Sequence, residues 1–176
     1  MKRIAIIGNA GGGKSTFARK LGQTLNVPVH EIDQLQWKPD WTRAAPDEFN
    51  PVHDRWLAAP EWVIDGWGSW EAITRRFDLA DTIVFVDYTL VRHYWWAIKR
   101  HAKAVLGLNP DWPPPGCRAL PITGRLLKLM WTIHWTMRPQ LLELAMRYRD
   151  RKQVAHIRSP RQFEDFLRTA DGSPPQ

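Results

Sequence analysis

Cysteine is nearly absent: Cys117 stands alone among 176 residues. No disulfide can form within the chain, and no zinc site built on cysteine is possible. A reducing cytoplasm is the expected compartment. Long apolar runs are also missing. No stretch of 18 apolar residues occurs, and the run after Met1-Lys2-Arg3 is too short for a signal peptide. No membrane span and no membrane partner are expected. The guanine-reading pattern Asn-Lys-x-Asp is absent too, since Asn9, Asn26, Asn50 and Asn109 precede Ala, Val, Pro and Pro. No helix-turn-helix or zinc-finger spacing and no internal repeat is visible.

What is present is ordinary in bulk and unusual in detail. The chain is 44% hydrophobic and 24% charged, the balance of one folded domain. Its net charge of +7 is uneven. Residues 1–90 carry 10 Lys/Arg and 12 Asp/Glu, and residues 91–176 carry 15 and 6. The basic half suits an anionic partner, a nucleotide, nucleic acid or an acidic surface, or is simply a solvated basic surface. Eleven tryptophans fit core and lid packing, with some free to stack on a ligand.

The hydrophobic pattern alternates strand and helix. Residues 3–7 read as a strand buried on both faces, followed by the glycine turn Gly8–Gly13 and a helix over 14–25. Further strands are predicted at 27–33, 62–66, 81–87 and 153–157. Helices are predicted at 46–59, from Ser69 as cap to 77, at 90–106, at 122–151 with a bend before Pro139, and from the Ser159 capping box to 169. Residues 34–45 read as a Pro-broken loop and 107–121 as a Pro-rich loop or lid. The expectation is an α/β, three-layer fold with a five-stranded parallel sheet and helices on both faces. It would span residues 1–170, with a basic Pro-rich lid region at about 101–139 and a frayed tail at 171–176. Ligands of such sheets sit beyond the carboxyl ends of the strands.

Gly8-Asn9-Ala10-Gly11-Gly12-Gly13-Lys14-Ser15 satisfies G-x-x-x-x-G-K-[ST] in full. Glycines permit the positive φ values that turn successive N–H groups inward. Those groups make a nest for phosphate oxygens, and the following helix adds its positive end. Lys14 brings a full charge to the β/γ-phosphates, the Ser15 hydroxyl can ligate Mg²⁺, and Thr16 adds a hydroxyl on the α-phosphate side. A nucleoside triphosphate is the expected ligand.

Beyond the loop, the chain resembles bacterial P-loop proteins of the DNA topology modulation (FlaR-like) family, which are similar to adenylate kinases and other small P-loop kinases. The resemblance rests on Gly8–Thr16, His30-Glu31-Ile32-Asp33, Trp37-Lys38-Pro39-Asp40-Trp41, Trp62-Val63-Ile64-Asp65-Gly66, 80–87 and Ile98-Lys99-Arg100. It implies ATP as the nucleotide, Asp65 near Mg²⁺ and its waters, and Arg100 beside the nucleotide and lid, with Arg125 and Arg138 as lid arginines. Where adenylate kinases continue with an aromatic, Pro and Arg, this chain has Trp67-Gly68-Ser69, a departure that speaks against AMP as acceptor.

Phosphoryl transfer needs positioning, Mg²⁺ and positive charge over the migrating group. Asp33 is the candidate for the acceptor hydroxyl or a Mg²⁺ water, or else a helix cap or loop acid. Arg76 is a candidate for an acceptor phosphate, or a surface arginine. Lys14, Arg100 and Arg138 would stabilise charge. Asp87 reads as a helix cap, and His30, His93 and His134 as structural. The function this predicts is an ATP- and Mg²⁺-dependent kinase acting on a small, unidentified acceptor. A nucleotide-responsive DNA-binding protein and an ATPase without an acceptor are the alternatives.

Overall fold

The computed structural model describes residues 1–109 and 112–170. The tail predicted at 171–176 and Pro110 of the predicted loop lie outside the described residues. Seven strands and eight α-helices follow in chain order: β1 Arg3–Gly8, α1 Lys14–Leu25, β2 Val29–Glu31, α2 Ile32–Gln36, β3 Trp37–Lys38, β4 Thr42–Arg43, α3 Pro46–Ala58, β5 Trp62–Asp65, α4 Trp70–Leu79, β6 Thr82–Val86, α5 Leu90–Val105, α6 Thr123–Thr132, α7 Arg138–Met146, β7 Gln153–Ile157 and α8 Pro160–Ala170.

Five strands form one parallel sheet in the order β2-β5-β1-β6-β7. Both faces are covered, so the strands carry apolar residues on both sides. Ile4, Ile6, Val63, Val84 and Val86 meet Phe17 and Leu21 of α1 and Phe163 and Leu167 of α8. Ala5, Ile7, Trp62, Ile64, Ile83 and Phe85 meet Phe49 and Leu57 of α3, Ile73 and Phe77 of α4, and Leu141 and Ala145 of α7. This is the expected three-layer α/β architecture. Strand β1 lies at its centre, between β5 and β6. The chain leaves β1 for one edge of the sheet and later proceeds from β6 to the other. The carboxyl ends around β1 therefore border the crevice where such sheets bind ligands.

Three predicted elements differ. The second strand is shorter than 27–33, because the chain turns into α2 at Ile32; Asp33 lies in that helix's first turn. Residues 34–45 are not all loop: β3 and β4 pair as a short antiparallel hairpin, Trp37 with Arg43 and Lys38 with Thr42. The helix predicted over 122–151 is continuous from Thr123 to Met146, with a widened π turn at Ile133–Met137. Pro139 has no N–H to give to the preceding turn, and the π turn accommodates that loss. The helix ends at Met146 because Tyr148 is anchored by its hydroxyl to Asp78 Oδ1 (2.6 Å), while Lys152 Nζ donates to the carbonyls of Phe77 and Asp78.

Candidate phosphate loop and cleft

The loop from Gly8 to Ser15 fits tightly against its neighbours. Gly8 has φ +151°, and a Cβ there would lie 2.2 Å from the Val86 carbonyl oxygen. Gly11 has φ +71°, and a Cβ would fall 2.5 Å from the His93 carbonyl oxygen. A side chain at either position would lift the loop off β6 or α5. Four contacts pin it. The Asn9 side chain donates to Met130 O (2.9 Å) and accepts from Ala10 N (2.8 Å). Trp67 Nε1 donates to Gly8 O (2.8 Å). His93 Nδ1 lies 2.9 Å from Ala10 O. A carbonyl only accepts, so this ring nitrogen carries the proton. Burial holds the imidazole near a pKa of about 4, so it is neutral at pH 7.

Lys14 begins α1 and folds back, its Nζ 3.0 Å from Asn9 O. Ser15 Oγ donates to Asp65 Oδ2 at 2.7 Å. Asp65 is buried at the end of β5, and its Oδ1 has no hydrogen-bond partner. Burial pushes its carboxyl pKa up, against the pull of Lys14 and the Ser15 bond. A hydroxyl beside a buried carboxylate with one orphaned oxygen is a hard, all-oxygen donor set. It fits Mg²⁺, which takes one or two protein ligands and completes its shell with phosphate and water. Among the described residues no group of three His, Cys, Asp or Glu side chains could hold a metal by itself.

The loop opens into a cleft of about 1110 Å³. Its floor is the glycine loop with Asp65–Gly68, and Asp33, Gln34 and Gln36 of α2 form one side. Trp96, Lys99, Arg100 and Lys103 of α5 and Arg125, Leu126 and Leu129 of α6 form the other. The roof is the hairpin, joined to the Pro-rich segment. Asp40 N donates to Gly116 O (3.2 Å), Trp41 Nε1 donates to Arg118 O (2.8 Å), and Cys117 Sγ donates to Lys38 O (3.2 Å). These bonds hold Asp40 and Trp41 at φ +58° and +59°, a region that non-glycine residues seldom occupy.

The candidate residues divide into two groups. Asp33, Asp65, Arg100, Lys14 and Ser15 line the one cleft, with Arg125. The Arg100 guanidinium lies 4.5 Å from the Trp112 ring centre. Its Nε is buried without a hydrogen-bond partner. Burial lowers its pKa, and Asp33 and Asp65 pull the other way. Arg76 does not reach the cleft. It is 1% exposed, and its guanidinium donates to Gly66 O (2.7 Å), Ala72 O (3.2 Å) and Trp67 O. It braces the turn after β5 and is neither an acceptor ligand nor a surface arginine. Arg138 is not among the lining residues; it grips Asp87 through Nε (2.5 Å) and Nη2 (2.7 Å). Asp87 also bonds His156 Nε2 (2.7 Å). Burial would raise the Asp87 pKa, but these bonds hold it below the ordinary carboxylate value. Asp87 is thus the hub joining β6, α7 and β7 and not a helix cap; α5 starts at Leu90, with Thr89 before it and no side-chain cap bond.

The structure adds residues that sequence reasoning passed over: Trp67 and His93 as clasps of the loop, Trp37, Trp41 and Trp112 in the roof, and Arg43, Lys99 and Lys103 beside it. The available signal was the Trp-Lys-Pro-Asp-Trp element, two aromatic rings around a tight turn.

No family model and no curated protein matches this chain. Among solved structures it is similar to a sugar kinase from Janibacter sp., with a TM-score of 0.54 and 10% identity over 96% of this chain and 93% of that one. It is also similar to a protein of Chloroflexus aurantiacus proposed to be a kinase, with a TM-score of 0.52 and 13% identity over 99% and 100%. Identities this low speak for the fold alone: this chain has the three-layer α/β fold, with a five-stranded parallel sheet flanked by helices, of P-loop kinase-like structures.

Proposed function

We propose that the chain is an ATP-dependent phosphotransferase that moves the γ-phosphoryl group to a hydroxyl of a small acceptor. One observation carries this reading: a single cleft joins the phosphate loop, the Ser15–Asp65 pair, Asp33 and Arg100. At about 1110 Å³ it exceeds the usual 300–1,000 Å³ of a single-ligand pocket, leaving room for a nucleotide and an acceptor. The finer resemblance, to the DNA topology modulation family, is part of the same proposal and rests on the segments that carry it.

In the reaction the acceptor oxygen bonds to the γ-phosphorus while the bond from that phosphorus to the bridging oxygen breaks, and ADP leaves. Bound Mg²⁺ would supply charge neutralisation for the transferring phosphate. The loop amides orient the phosphates, and Lys14 offsets charge that builds on them. Ser15 and Asp65 would hold the metal. Asp33 accepts the hydroxyl proton or orients that hydroxyl. Arg100 lines the cleft with an Nε that has no hydrogen-bond partner, and would offset charge on the migrating group. Arg138 is assigned to fixing α7 through Asp87.

The acceptor's side of the cleft combines flat rings, Trp37, Trp41 and Trp112, with Arg43, Lys99 and Lys103. That chemistry suits an anionic acceptor with an apolar face. The test is Lys14→Ala with γ-labelled ATP and a panel of nucleosides, nucleotides, sugars and hydroxy acids. Transfer falls by about 10²-fold or more, and the circular dichroism spectrum is unchanged. Saturable binding of Mg·ATP with no transfer to any acceptor would leave a nucleotide-binding protein and sink the kinase reading.

A further inference from the structure

Among the described residues, thirteen large hydrophobic side chains stand exposed, and ten of them lie between Val91 and Trp135. On α5 they repeat as Val91, Trp95, Ile98 and Val105, one stripe along the helix. On α6 Leu129 turns to the cleft, while Trp131, and Trp135 of the π turn, stand outside it with rings 5.8 Å apart. Val91 is 78% exposed, Trp95 63%, Trp135 60% and Trp131 54%. Single exposed apolar residues need no explanation, but a concentration of this size marks an interaction site.

The two stripes face the same way. Tyr94 Oη donates to Leu127 O and His101 Nδ1 meets Thr123 Oγ1, so α5 and α6 run antiparallel. From that line of contact, Val91, Trp95 and Ile98 lie to one side of α5. Trp131 and Trp135 are displaced in the same rotational sense on α6, which in an antiparallel pair puts them on the same side.

The charge around this face has one sign. Arg92 on α5 and Lys128 on α6 lie outside the cleft, and neither helix carries an acid. We propose that the α5–α6 face is a docking surface for an anionic phospholipid bilayer, lying on it without crossing it. Tryptophan and aliphatic side chains enter the headgroup boundary, and lysine and arginine meet lipid phosphates. No helix of the described residues is long and apolar enough to span. The expectation of no membrane partner rested on that missing span, which says nothing of a surface contact. A symmetric contact between two copies would press Arg92 and Lys128 against their own kind with no acid on either helix. Duplex nucleic acid would meet the cations but leave Val91, Ile98 and Val105 unused.

The test is co-sedimentation with vesicles of phosphatidylcholine alone and of phosphatidylcholine with phosphatidylglycerol at about 7:3, with brominated lipid as a quencher of tryptophan emission. Binding to the anionic vesicles is expected to be at least about tenfold stronger and to weaken with salt. The variant W95Q/W131Q/W135Q loses most of the binding and the quenching, and R92E/K128E loses about tenfold. These side chains are exposed, and unchanged circular dichroism and nucleotide binding show that the variants fold. Equal binding to both vesicles, or to neither, overturns the proposal. So does self-association without lipid that the triple variant abolishes, or tighter binding to duplex DNA with the same dependence on the three tryptophans.

Discussion

Two arginines show how one residue type takes opposite roles. Arg76 is fully enclosed, and its three donors satisfy carbonyls of the turn after β5. Burial lowers its pKa to about 10, still charged at pH 7. Removing it leaves buried carbonyls unpaired, so Arg76→Ala should cost about 2–4 kcal/mol, read as a fall in Tm by calorimetry. Arg100 has an unpaired Nε and no ion pair among the described residues. Arg100→Ala should leave Tm nearly unchanged and lower kcat by about 10²-fold, with nucleotide affinity kept. A Tm loss for Arg100→Ala as large as that for Arg76→Ala would place Arg100 in the structure and not in the chemistry. The sequence offered both as phosphate ligands, because spacing on a helix does not say whether a guanidinium points to a cleft or to a carbonyl. Asp65 was legible as a strand-end acid, and its burial adds a prediction. Its folded-state pKa is raised, so its charge opposes folding at neutral pH, and stability gains as pH falls into its titration range. Asp65→Asn should therefore raise Tm at pH 7 and remove about 10²-fold or more of transfer activity. An unchanged rate would take Asp65 out of the metal site.

At the scale of elements, what local pattern determines was readable. Helix α1 was predicted over 14–25 and occurs at Lys14–Leu25, because Phe17, Ala18 and Leu21 repeat on one face between a glycine turn and Asn26. Ser69 was predicted as a cap and accepts from Ala72 N at 3.1 Å. The hairpin β3–β4 was not readable. Two-residue strands carry no periodicity, and the turn between them uses positive φ at Asp40 and Trp41, where no glycine announces it. Bonds to residues 116–118, far along the chain, decide its shape. The roof can be tested at that join. A Cβ at Gly116 would lie 2.8 Å from Pro39 Cγ, at φ +76°. Gly116→Ala should part the hairpin from the Pro-rich segment and raise the acceptor's KM by about tenfold, with the nucleotide's dissociation constant changed less than twofold. Equal weakening of both ligands would mean that the roof does not divide the cleft between them.

The whole molecule carries +7 and buries three histidines, and acid should test both at once. His53, His93 and His101 are each held near a pKa of about 4. Burial is the main cause in each, helped by Arg76 and Arg75 at His53, Lys14 at His93 and Arg100 at His101. The unfolded chain protonates its histidines near the ordinary imidazole value of 6.5. Between those values the unfolded state binds more protons than the folded one, so the stability present above pH 6.5 is lost as pH falls toward 4. Asp87 adds to the loss at lower pH, since its depressed carboxyl contributes stability above the unfolded aspartate range and loses it on protonation. His93 links this loss to function. Protonating its ring places a charge in a buried site beside Lys14, and relief of that cost favours loosening the packing under the loop, although the bond to Ala10 O itself favours the charged ring. Tm and nucleotide affinity should fall together from pH 6.5 to 4.5, by calorimetry and titration in one buffer series. His93→Gln keeps a donor for Ala10 O and removes one of the three titrations. It should shrink the pH-dependent part of the Tm loss while His53 and His101 sustain the rest. A Tm constant across that range would show that these imidazoles exchange protons freely with solvent, and the neutral clasp under the phosphate loop would have to be abandoned.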